Sequence, residues 1–127
     1  MTFSRSTTIN WQGSIMEGSG KLDAGTGAFS MNVTFPKRIG EPEGSTSPEE
    51  LIAAAHSSCY AMQLSAFIAE AGGTPQPLDV TAKVSLGPDP AGGFALTGIA
   101  ITVRAEVDGL DAAGFEKAAQ AAKDGCR

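Results

Sequence analysis

The chemistry this sequence can support centres on one cysteine and the charges around it. Cys59 falls ten residues after Glu49 and three after His56, the only histidine in the chain. The thiolate rather than the thiol is the nucleophile, and a cysteine packed among Ala and Leu keeps its proton. The surrounding run, Pro48 to Ala71, reads as a helix. Cys59 lies well past its first turn, where the N-terminal dipole no longer acts. Activation therefore needs a nearby cation. Arg38, on the stretch after a strand that leads into this helix, is the candidate. A guanidinium stays charged when partly desolvated, and its forked donors hold a thiolate and a carboxylate together.

Helix geometry picks the carboxylate. At about 100° per residue, Glu49 and His56 lie within about 20° of each other, with Cys59 about 60° further round on the flank of that face. Glu50 points about 180° away from Cys59. Ser47 is an N-cap type, Pro48 suits the first helical position, and Glu50 stands three after Ser47, so Glu50 is expected to complete a capping box. Glu49 is left to orient Arg38, and Arg38, Glu49 and Cys59 form a candidate triad. Singly, each has an ordinary reading. Cys59 fills core space, Arg38 is a solvated loop residue, His56 is a hydrogen-bonded core histidine, and Glu49 is a first-turn acid favoured by the dipole.

Composition narrows the function classes. The 127 residues carry 42% hydrophobic residues, eight aromatics and a net charge of −5, the measure of a single domain with an aliphatic core. The densest positive spot is Lys37-Arg38, so phosphate neutralisation has nothing to work with and nucleic acid is not an expected partner. Uninterrupted apolar runs such as Leu51–Ala55 are far shorter than a membrane span. Met1-Thr2-Phe3-Ser4-Arg5 holds no apolar segment before a small-residue cleavage site. A cytoplasmic location without membrane association is expected. In that compartment the two cysteines are either a redox pair or two inert thiols, and composition leaves both open. One His and two distant Cys without a CxxC give no zinc spacing, so neither a metal nor a cofactor is expected.

The elements that must position these residues alternate with clear punctuation. Ser6–Gln12, Gly18–Leu22 and residues 28–35 read as a small β-meander; in the last, Phe29, Met31, Val33 and Phe35 alternate onto one face. Pro36 ends it, and Lys37–Thr46 reads as loop. The helix from Pro48 is apolar in almost every direction, which marks a buried helix, and Gly72-Gly73 with Pro75 stops it. Strands Leu78–Leu86 and Phe94–Glu106 follow, the second with Ile99, Ile101 and Val103 on one face. A helix over Asp111–Lys123, striped by Phe115, Ala118, Ala119 and Ala122, comes last. The order βββ-α-ββ-α gives an α+β fold, helices against small antiparallel sheets.

The segment Ser47-Pro48-Glu49-Glu50-Leu51-Ile52-Ala53-Ala54-Ala55-His56-Ser57-Ser58-Cys59-Tyr60-Ala61-Met62 resembles the signature of the OsmC/Ohr family of hydroperoxide reductases. Thr46, the ten-residue step from Glu49 to Cys59, the early Trp11-x-Gly13 and the late Gly125-Cys126 fit the same pattern. His56, three before the cysteine, places the chain nearer the OsmC branch than the Ohr branch. The resemblance implies Cys59 as peroxidatic thiolate, Cys126 as resolving thiol, and Arg38 with Glu49 as the activating pair. It also implies a homodimer whose long helices are buried between the sheets of both subunits, organic hydroperoxides as substrates in oxidative or osmotic stress defence, and a dithiol reductant such as a lipoylated protein. Family members continue Gly-Cys-Pro into a final strand, whereas Arg127 follows Cys126 here. The expectation is therefore one domain over residues 1–127, with the sequence either stopping short of that strand or lacking it.

The rival from another class is a non-catalytic small-molecule-binding module that keeps the fold's apolar pocket and uses both cysteines as core. Alkylation separates the two. An activated Cys59 reacts with iodoacetamide at neutral pH faster than free cysteine does, and the binding module requires it to react more slowly.

Overall fold

The computed structural model describes residues 1–126. Its order is β1 (Thr7–Gln12), β2 (Ser19–Ala24), β3 (Ser30–Val33), α1 (Phe35–Ile39), α2 (Pro48–Glu70), β4 (Thr74–Pro88), β5 (Phe94–Asp108) and α3 (Ala112–Gly125). The α+β class holds. The chain forms two compact units, Met1–Leu51 and the residues from Ile52 onward, and α2 begins in the first and continues through the second.

In the first unit β1, β2 and β3 form an antiparallel meander, with Ile9 opposite Leu22 and Trp11 opposite Gly20. A Cβ on Gly20 would come within 2.8 Å of the Ile9 side chain and 2.9 Å of the Trp11 ring, so the bare backbone lets both lie over β2. β3 is shorter than the alternation over residues 28–35 implies. Thr34 leaves the sheet to cap α1, its Oγ1 accepting from the Lys37 N–H at 3.3 Å, and Pro36 suits a first helical turn. This corrects the reading of Lys37–Thr46 as loop from its first residue: Arg38 rides on a short helix. A local cap and proline outcompete the period-two pattern.

In the second unit β4 and β5 form a long hairpin, with Val80 opposite Val103 and Ala82 opposite Ile101. β4 begins at Thr74, earlier than Leu78, directly after the helix stop, with an irregular register between Pro75 and Leu78. Gly72 makes that stop possible: it holds φ +90, and the Gly73 N–H then donates to the Ile68 carbonyl at 3.0 Å. The core cluster is Tyr60, Leu64 and Ile68 from α2 with Ala118 and Ala122 from α3, backed by Leu78, Val80, Ile101 and Val103 of the hairpin. The α3 stripe read from the sequence is the one that packs, and Asp111 caps it by accepting from the Gly114 N–H at 2.7 Å.

α2 departs from the expectation of burial on every side. Within one chain its buried residues are Glu49, Tyr60, Leu64 and Ile68, while Met62 is 72% exposed. The helix as a whole is long and apolar enough to cross a membrane, which the short uninterrupted runs concealed. Its serines cost little: Ser57 and Ser58 return their hydroxyls to the Ala54 carbonyl at 3.2 and 2.8 Å. Leu64 is fully buried, so Leu64→Ala is expected to cost about 2–5 kcal/mol in denaturant unfolding. A loss below about 1 kcal/mol would show that the cluster does not hold this unit together.

Candidate active site

The site residues predicted from the sequence fall in both units, Arg38 and Glu49 in the first, Cys59 and Cys126 in the second. In the first, α1 presents Arg38 and the opening turn of α2 presents Glu49. The guanidinium grips the carboxylate in a bidentate arrangement: Nε donates to Oε1 and Oε2 at 3.2 and 3.1 Å, and Nη2 donates to Oε1 at 2.7 Å. The Glu49 side chain is 11% exposed and that of Arg38 32%. A carboxylate this deep requires a partner, and it has the strongest kind. The Arg38 hydrogen bonds hold the Glu49 carboxyl below its ordinary range, against the upward push of burial. The same bond raises Arg38. Among the described residues, Nη1 of Arg38 has no acceptor.

The two glutamates divide as the helix geometry predicts, with one change. The Glu50 backbone N–H donates to Ser47 Oγ at 3.1 Å, the first half of a capping box. The second half is absent: the Glu50 carboxylate accepts instead from the Thr46 hydroxyl at 2.8 Å. Thr46 is 5% exposed, and its backbone N–H donates to the Asn32 carbonyl of β3. Its hydroxyl is thus the nearer partner for Glu50, and the pair fastens the helix start to the meander.

A cavity of about 260 Å³ opens beside Arg38 in this unit, walled by Trp11, Ile15, Val33, Phe35 and Pro48. Sequence reasoning missed these residues as a site. Trp11-x-Gly13 was legible only as part of the family pattern and the β3 alternation only as a fold signal, because nothing in a pattern shows which side chains surround one arginine.

The second unit holds the thiols. Cys59 and Cys126 are both half-buried and both reduced. The proximity of Cys59, together with burial, pushes the Cys126 thiol above its ordinary value. α3 brings it there, its terminal N–H donating to the Ala122 carbonyl at 3.1 Å while Gly125 passes the Phe67 ring. No cluster of three or more metal-ligating side chains occurs among the described residues. His56 is half-buried on α2.

Residues 40–127 match the family described as OsmC-like protein. The chain is 42% identical to peroxiredoxin OsmC of Escherichia coli over 99% of its own length and 87% of that protein. Among solved structures, the fold resembles the organic hydroperoxide resistance protein OhrB of Bacillus subtilis, with TM-score 0.71 and 22% identity over 95% of this chain and 85% of that one. It also resembles an OsmC-like protein of unknown function from Vibrio cholerae, with TM-score 0.77 and 18% identity over 98% and 90%.

The ion pair sets a pH signature. Because the folded-state Glu49 lies below its unfolded value, its stabilisation is complete above about pH 4.3 and fades as pH falls through the lower folded value. Glu49→Gln is expected to lose about 1–2 kcal/mol at pH 7, discounted for the exposed part of Arg38, and the gap to wild type should narrow below about pH 4. Glu50→Gln keeps an oxygen for Thr46 and should change little. A gap that is flat with pH would remove the pair from the stability of this unit.

Proposed function

The chain belongs to the OsmC-like family, and from that premise we propose that it is a thiol-dependent peroxidase reducing organic hydroperoxides to alcohols, hydrogen peroxide more weakly, in oxidative and osmotic stress defence. The observation that carries the reading is the pair of free thiols, Cys59 on α2 and Cys126 at the end of α3, near enough that Cys59 raises the Cys126 thiol. Such a pair suits the chemistry. The Cys59 thiolate attacks the outer peroxide oxygen, the O–O bond breaks, and the alkoxide leaves as the alcohol after gaining a proton. Cys59 becomes a sulfenic acid. The Cys126 sulfur then attacks it, forming the Cys59–Cys126 disulfide and releasing water, and an external dithiol, a lipoylated protein in this reading, restores both thiols.

Arg38 and Glu49 are the activating pair in this reading. Glu49 orients the guanidinium, and the role assigned to Arg38 is to stabilise thiolate and developing alkoxide with its fixed charge. The apolar cavity beside Arg38 suits an organic substituent over a second hydroxyl, which favours organic hydroperoxides as substrates. One domain over residues 1–127 supplies all four groups. A homodimer in the cytoplasm completes the picture, since it would cover the α2 surface that one chain leaves open; sedimentation equilibrium showing only monomer at micromolar concentration would remove it.

Cys59→Ser should abolish turnover of cumene hydroperoxide with dihydrolipoamide while the fold persists. Cys126→Ser should consume one equivalent of peroxide and stall. By intact mass the wild type loses two hydrogens, whereas the Cys126 variant gains oxygens. Retained turnover in Cys59→Ser, or oxygens without a bridge in the wild type, would sink these roles.

A further inference from the structure

Tyr60, the residue after the nucleophilic cysteine, has a use that core filling does not explain. It is 5% exposed, and its ring lies in the cluster of Leu64, Ile68, Ala118 and Ala122. A phenylalanine would fill that space. The hydroxyl instead donates to the main-chain carbonyl of Ala119 at 3.0 Å, across a gap of 59 residues in sequence. This side-chain hydrogen bond joins α2 directly to α3. Burial raises the Tyr60 hydroxyl above its ordinary value, so it remains a donor.

α3 needs such a fastening. The residues it buries fully are two alanines, Ala118 and Ala122, whose smooth surfaces resist sliding and rotation weakly. Cys126 stands at its C-cap, past the last turn, tied back through one N–H bond to Ala122. Helix ends fray, and a fraying end carries its thiol away. A hydrogen bond is directional where apolar packing is not, and this one grips α3 two turns before Cys126 from the residue beside Cys59.

We propose that Tyr60 is a positioning residue for the disulfide-forming step: its hydroxyl, bonded to the Ala119 carbonyl, fixes the rotation and height of α3 on α2 and so keeps the Cys126 thiol aimed at Cys59. This rests on the reading in which Cys126 resolves Cys59. The step competes with over-oxidation. The Cys59 sulfenic acid either condenses with the Cys126 thiol, giving disulfide and water, or is oxidised by a second hydroperoxide to sulfinic acid, releasing a second alcohol. Anything that slows the first route shifts flux to the second. The hydroxyl makes no bond to either sulfur, so the first attack by Cys59 does not depend on it.

The test uses the full chain, reduced and then mixed with cumene hydroperoxide in a quenched-flow series read by intact mass. Tyr60→Phe keeps the ring and the fold. It should consume the first equivalent at the wild-type rate, close the disulfide about fivefold more slowly, as loss of one net hydrogen bond implies, and accumulate more sulfinic acid at excess peroxide. Ile68→Val loosens the same cluster without touching the Ala119 carbonyl, and should leave the partition between disulfide and sulfinic acid as in wild type. If Tyr60→Phe closes the bridge at the wild-type rate, or if Ile68→Val shifts the partition equally, the positioning role is wrong while the resolving role of Cys126 stands. A wild type that never forms the bridge overturns both.

Discussion

The second unit depends on one row of side chains. Tyr60, Leu64 and Ile68 recur every fourth residue, so they form a single ridge along α2, and that ridge is what α3 and the β4–β5 hairpin bury. Cys59 precedes the first member of the ridge and therefore lies at the edge of the packed surface, half-buried rather than sealed. A thiol one step further into the ridge would be inert core, and one on the opposite side would face away from α3. The half-burial of this thiol follows from where the apolar repeat begins.

The first unit answers a different constraint, that of an acid taken out of water. Glu49 stands in the first turn of α2, where the helix dipole favours a negative charge, yet its side chain is 11% exposed and needs more than a dipole. α1 exists to meet that need. Thr34 and Pro36 turn the chain out of the sheet within one residue of Val33, and the five-residue helix delivers Arg38 to the carboxylate through two donor nitrogens. Glu50 and Thr46 fix the same helix start from the other side. The two adjacent glutamates thus serve separate ends of one problem: one orients a cation, the other anchors the backbone that holds the first.

Much of this was legible in the sequence, for physical reasons that can be named. The cap, proline and glycine signals bracketed α2 to within a residue, because they act locally and nothing overrides them. The separation of Glu49 from Glu50 came from rotation about one helix axis, and Arg38 does pair with Glu49. What escaped was non-local. The alternation through Phe35 concealed a helix, since a single capping threonine decided against it. Tyr60 looked like one more core aromatic, because the acceptor of its hydroxyl lies on an element far away in the chain. The burial of α2 was overstated for the same kind of reason: an apolar surface shows what must be covered and leaves unsaid what covers it.

The two cysteines also stand near opposite ends of the second unit's sequence, one seven residues after its start at Ile52 and the other on the final cap of α3. A bridge between them would turn almost the whole unit into a closed ring. Tethering a loop of that length removes much of the freedom of the unfolded chain, an effect on the order of 4 kcal/mol. Oxidation would then act on lifetime as well as on catalysis, making the spent form the one hardest to unfold and to digest. If such a bridge forms, the supply of reductant would set how long each molecule survives, since every reset would reopen the ring and return the chain to its more perishable state.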